Sequence, residues 1–80
     1  MECDLHGFTL YDAIEEIIYT LELCIALGEK SLCIIHGYQH GKILRNYFRS
    51  KAFLEDMKHE GYNLEEANHP NPGISIFKII

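Results

Sequence analysis

No Cys-x-x-Cys pair occurs in this chain, and its three cysteines, Cys3, Cys24 and Cys33, fall within apolar runs. An odd number of thiols in such surroundings argues against a disulfide framework and a zinc site, and fits a reduced intracellular compartment. The longest apolar stretch, Ile17 to Leu27, is broken by Thr20 and Glu22 and is too short to span a bilayer. Glu2 and Asp4 stand where a secretory leader would carry basic residues, so a cytoplasmic chain with no membrane association is expected. Internal repeats, linkers and low-complexity segments are also missing. Eighty residues leave no room for a second core, so the expected organisation is one domain over residues 1–80, a monomer or a weak homodimer. A chain this short buries only about 60% of its unfolded surface, which predicts modest stability.

Positive charge is scarce as well, and its placement is informative. The net charge is −5, yet from Lys30 to Leu54 there are five basic residues and no acidic one. All twelve acids lie elsewhere, accompanied only by Lys58 and Lys78. Overall acidity argues against a general nucleic-acid binder, which carries a broad basic surface. A local basic site survives that objection, because phosphate contacts act over short distances at physiological salt.

What is present is 48% apolar residues and five tyrosines, enough for a core. Alternation at Met1 to Leu5 puts Cys3 and Leu5 on one face and Asp4 and His6 on the other, as in a short strand ended by Gly7. Thr9 is a good N-cap for a helix whose apolar face is Leu10, Ala13, Ile14, Ile17, Ile18, Leu21, Cys24 and Ile25, with Gly28 as its terminating glycine. Leu32 to Ile35 is an unbroken apolar run and reads as a strand buried on both faces or central in a sheet. Such a strand–helix–strand unit implies parallel strands joined right-handedly.

His36-Gly37-Tyr38-Gln39-His40-Gly41 follows, and a helical pattern then runs through Ile43, Leu44, Tyr47 and Phe48 and continues through Phe53, Leu54 and Met57. Whether Ser50-Lys51 divides it in two is open from sequence. Tyr62 to Ala67 reads as a polar edge strand, His69 to Gly73 as a tight turn with two prolines, and Ile74 to Ile80 as the last strand. The predicted fold is an α/β (α+β) two-layer sandwich of order βαβαββ, with a four-stranded mixed sheet and helices packed on it. Functional loops in such sheets gather at the carboxyl ends of parallel strands. His6-Gly7, His36-Gly37 and, if the third strand is parallel to the first two, the His69 to Gly73 turn would share one rim.

Asp4 and His6, two apart on one strand face, suit a carboxylate that orients an imidazole for proton transfer. The plainer alternative is a turn-capping aspartate beside a packed histidine. His36, at the tip of the next strand, is expected to reach the rim, where it and His6 would act as base and acid on a phosphodiester; a structural histidine is the alternative. Lys42, Arg45 and Arg49 recur at helical spacing beside the glycine turn and fit phosphate contact better than a solvated face. Gly37, His40 and Gly41 belong to that turn, Tyr38 suits stacking on a base or sugar, and Asn71 suits a phosphate donor. Asp4, His6 and His36 holding a divalent metal is a further alternative, although one carboxylate and two histidines make a poor magnesium set.

These residues also carry a resemblance. Asp4-Leu5-His6-Gly7, followed by Thr9 and Ala13, resembles the D-L-H-G-x-T-x-x-E-A opening of the Smr (small MutS-related) domain. Ile34-Ile35-His36-Gly37 resembles its second motif, and Asn71-Pro72-Gly73-Ile74-Ser75-Ile76 the N-P-G-x-T-x ending of a subgroup. The likeness spans Cys3 to Ile80. It implies a two-layer α/β fold like the C-terminal domain of a bacterial translation initiation factor, and nicking or endonuclease activity on DNA or RNA. The chain departs from the H-G-x-G-x-G of the best-known nuclease members, with Tyr38, Gln39 and His40 between its glycines. Endonuclease, non-catalytic nucleic-acid or phosphate-recognition module, and protein-interaction domain are the functional expectations that follow.

Overall fold

The computed structural model describes residues 1–37, 42–67 and 69–80. Its elements are β1 (Glu2–Asp4), α1 (Leu10–Leu27), β2 (Ser31–Ile35), α2 (Lys42–Phe48), α3 (Lys51–His59), β3 (Leu64–Ala67) and β4 (Ile74–Ile79). The expected βαβαββ order holds with its second helix divided. Ser50 makes the division: it is extended at φ −100° and ψ 161°. Its N–H and its hydroxyl both donate to the Tyr47 carbonyl, at 3.0 and 2.6 Å, so the chain leaves the helix there.

The ends of α1 follow from local chemistry. Thr9 Oγ1 accepts the Asp12 N–H at 3.2 Å and satisfies a free first-turn donor. At the other end Gly28 adopts φ 73°, and the N–H groups of Gly28 and Glu29 donate to the Ile25 and Cys24 carbonyls. That arrangement is a Schellman motif, available because glycine tolerates the left-handed region.

The sheet order is β1-β2-β4-β3. β1 pairs parallel with β2 (Asp4 opposite Ile35), β2 antiparallel with β4 (Ile35 opposite Ile74), and β4 antiparallel with β3 (Ala67 opposite Ile76). Two antiparallel steps leave β3 pointing the same way as β1 and β2. The turn before β4 therefore lies at the rim formed by the tips of β1 and β2.

Among the described residues, helices cover one sheet face. Cys3, Leu5, Leu32, Ile34 and Phe77 point inward and are buried with Ile17, Leu21, Leu44, Phe48, Phe53 and Met57. Phe53 is the hub of an edge-to-face cluster, with Phe48 at 4.9 Å and Phe77 at 5.0 Å between centroids. On the opposite face Cys33, Ile35, Ile74 and Ile76 are half-buried. The unbroken apolar run of β2 thus reflects its central position, not cover on both sides. No helix among the described residues is long and apolar enough to cross a membrane.

Candidate functional site

Three glycines bring the rim together. Gly7 (φ 81°) turns the chain after β1, with the Phe8 N–H donating to the Leu5 carbonyl at 3.0 Å. Gly37 (φ 75°) ends β2, and a Cβ placed on it would lie 3.8 Å from the Cβ of His6. Gly73 is buried in the turn before β4, where a Cβ would lie 3.4 Å from the Cα of Gly37. The Gly73 carbonyl accepts the N–H groups of both His36 and Gly37 at 3.0 Å. A methyl group at Gly73 would just fill the space against Gly37 and Asn71.

Asp4 and His6 meet at the tip of β1. Asp4 Oδ1 lies 2.6 Å from His6 Nδ1 and also accepts the His6 backbone N–H at 3.1 Å. Those two bonds from His6, the ring bond first, hold the Asp4 carboxyl below the usual carboxylate range. An ionised carboxylate only accepts, so the shared proton belongs to His6 Nδ1 and the lone pair of the neutral ring to Nε2. With side-chain exposures of 74% for His6 and 51% for Asp4, Nε2 faces open solvent. The arrangement is an oriented imidazole at a surface.

His36 is placed differently from the sequence expectation. Its ring does not reach the rim: it is 0% exposed, and both nitrogens are engaged. Nδ1 lies 2.7 Å from the Gly37 carbonyl, an acceptor only, so Nδ1 carries the proton. Nε2, 2.9 Å from Ser75 Oγ, then accepts the serine proton. Burial pushes the imidazole pKa down, opposed by the Gly37 bond, and the nearby Arg49 and Arg45 charges push it further. A neutral ring that ties β2 to β4 is the result. Phe48 stacks on it at 6.4 Å and 16°.

The basic residues divide into two kinds. Lys42 is exposed and Arg45 half-buried, both on α2. Arg49 lies just past that helix and donates from Nη2 to the carbonyls of Asn71 (3.1 Å) and Ile74 (2.9 Å). Asn71 Oδ1 accepts the Gly73 N–H at 2.9 Å, which leaves its side-chain NH₂ as the donor group. His69 Nδ1 accepts the Asn71 N–H at 3.0 Å. A polar hollow of about 80 Å³ lies beside this turn. Tyr38, His40 and Gly41, read from the sequence as strand contacts, lie outside the described residues. Asp4, His6, Gly37 and Asn71 do gather at one rim, and Arg49 joins them through the turn.

The alternative of Asp4, His6 and His36 as a metal set does not assemble. Both nitrogens of His36 are occupied, and no group of three His, Cys, Asp or Glu side chains among the described residues could hold an ion.

Ser75 and Phe48 are the rim residues the sequence reading did not single out as functional. Ser75 carried a signal, since a hydroxyl at an inward position of an alternating strand requires a buried partner. Phe48 resembled any other core aromatic.

Residues 3–77 match the family model for the Smr domain. The chain belongs to the Smr domain family. Among curated proteins, this Smr domain is 34% identical over 65 residues to the endonuclease MutS2 of Finegoldia magna. The match takes in 78% of this chain and 8% of that relative, so the chain spans under a tenth of its length. Among solved structures it is similar to the Smr domain of Thermus thermophilus MutS2, with a TM-score of 0.78 and 28% identity. That likeness covers 99% of this chain and 96% of the other. The four-stranded mixed sheet with helices packed on it is the architecture they share, and the Asp4–His6 pair and all three rim glycines fall within the family match.

Proposed function

We propose that this Smr domain binds a DNA or RNA strand across its rim and cleaves a phosphodiester there with the Asp4–His6 pair. The observation that carries the reading is a carboxylate-oriented imidazole whose Nε2 faces solvent beside Gly37. In this reading Nε2 removes a proton from the attacking water, or from the ribose 2′-hydroxyl when the strand is RNA. The new P–O bond forms as the bond to the leaving oxygen breaks, and solvent water at the exposed rim protonates that oxygen as it departs. Asp4 stabilises the imidazolium formed in the step. Lys42 and Arg45 offset charge on the phosphate, and Gly37, Tyr38, His40, Gly41 and Asn71 contact the strand. His36 keeps the rim in shape instead of moving a proton.

Cleavage of labelled single-stranded, duplex and branched DNA and of RNA tests this. His6→Ala is expected to lower the rate by about 10²–10⁴-fold and Asp4→Asn by on the order of 10²-fold, with folding unchanged. Equal cleavage by wild type and His6→Ala assigns the activity to a contaminant and ends the proposal. A second reading, binding without cleavage, draws on the burial of His36, which removes one of the two imidazoles expected to share the proton transfers. Salt-dependent binding that weakens in Arg45→Ala, without product, identifies it.

A further inference from the structure

We propose that Arg49 is a positioning residue for the cleavage centre and acts by bracing the rim turn, without touching the nucleic-acid strand. The proposal rests on the reading of Asp4–His6 as that centre. Its basis is a continuous set of contacts from the end of α2 to His6. Both Nη2 hydrogens of Arg49 are spent on carbonyls of the turn, those of Asn71 and Ile74, 22 and 25 residues away in the chain. Between those two carbonyls lies Gly73, whose own carbonyl receives the N–H groups of His36 and Gly37. A Cβ placed on Gly37 would lie 3.8 Å from the Cβ of His6, so the tip of β2 stands beside the stem of that side chain. A displacement of the turn therefore shifts the strand tip next to which His6 stands.

The residue before Arg49 grips the same structure from inside. Phe48 is fully buried and stacks on His36, whose Nε2 is bonded to Ser75 just beyond the turn. The end of α2 and the residue after it thus hold the rim at two points, one apolar and inside, one charged and outside. Among the described residues, no side chain of α2 or α3 itself hydrogen-bonds the turn. Arginine suits the task because a planar guanidinium presents two hydrogens from one nitrogen in fixed directions. A lysine offers a strongly hydrated ammonium on a flexible stem.

The brace and a phosphate contact make opposite demands on lysine. A phosphate contact tolerates Arg49→Lys, since the charge is kept; the brace does not. The test compares wild type, Arg49→Lys and Arg49→Gln for kcat and KM on the strand cleaved by wild type. It adds the salt dependence of binding, the amide resonance of Gly37 and the imidazole resonances of His6. Expected are a kcat lower by about 10- to 100-fold in Arg49→Gln and clearly lowered in Arg49→Lys. KM and the salt slope stay near wild type, and the Gly37 and His6 signals shift. Full kcat in Arg49→Lys, with a salt slope reduced by about 0.7–0.9 in Arg49→Gln, overturns the proposal in favour of direct phosphate contact. If wild type does not cleave, the cleavage reading fails separately. The brace then stands or falls on the resonances, and unshifted Gly37 and His6 signals in both variants overturn it.

Discussion

Replacing His36 with leucine keeps most of the ring's volume against Phe48 and removes both of its polar partners. Ser75 Oγ, in a side chain only 3% exposed, loses the acceptor at 2.9 Å, while the Gly37 carbonyl sits near enough to the surface to take up water. An orphaned buried hydroxyl costs about 1–3 kcal/mol, and the exchanged carbonyl bond about 1 kcal/mol more. A loss of about 2–4 kcal/mol follows, against a total stability on the order of 4–12 kcal/mol for a domain of this length. The corresponding drop in Tm is on the order of 15 °C. Ser75→Ala alone leaves the Nε2 lone pair buried without a donor, again about 1–3 kcal/mol. In the double variant neither orphan remains, so its cost should fall short of the sum of the singles by about 1–2 kcal/mol. Urea unfolding of the four proteins, followed by circular dichroism at constant m-value, measures this cycle. Single-variant costs that add within about 0.5 kcal/mol would show that His36 and Ser75 do not share a buried bond.

Acid should act on the same residue. The folded pKa of His36 lies below its ordinary value of 6.5, so its contribution to stability is complete above pH 6.5 and is lost as pH falls through the folded value. Relative to His36→Leu, wild type should lose up to about 1.4 kcal/mol per pH unit below 6.5; a difference that stays flat from pH 7.5 to 5 refutes the neutral buried ring. Asp4 follows the same sign lower down: its folded pKa is below 3.8, so its contribution is present above that value and fades beneath it. Asp4→Asn should therefore remove part of the acid sensitivity seen in urea titrations below pH 4, and an unchanged profile counts against the Asp4–His6 bond. Gly28→Ala meets no atom within 4 Å, so its cost is the left-handed backbone alone, about 1–2 kcal/mol, read as a Tm lower by roughly 4–16 °C; no change refutes the φ 73° assignment.

Local chemistry made much of the chain legible before any coordinates. Thr9 and Gly28 bounded α1 because capping and left-handed turns act on neighbouring residues. The alternation of Cys3 and Leu5 with Asp4 and His6 placed the pair on the solvent face, since strand geometry fixes which side a residue takes. The shared rim of β1 and β2 followed from the rule that a strand–helix–strand unit is parallel, while the turn's place on it hung on the direction of β3, which the two antiparallel pairings of β4 decide. Ser50 was harder to read: whether a serine caps, breaks or rides a helix depends on which carbonyl its hydroxyl reaches.

His36 and Arg49 are where tertiary structure alone decided. A histidine at a strand tip can turn outward to the rim or inward to the core, and the choice rests on Ser75, 39 residues away, and on Phe48. An arginine in a basic row can face a phosphate or a carbonyl, and here two carbonyls of a distant turn claimed it. The sequence by itself set the elements, the Asp4–His6 pair and the edge at which the first two strand tips meet, because each depends on residues a few positions apart. Which imidazole faces solvent and which holds the frame depends on burial, a property of the packed chain that no local pattern carries.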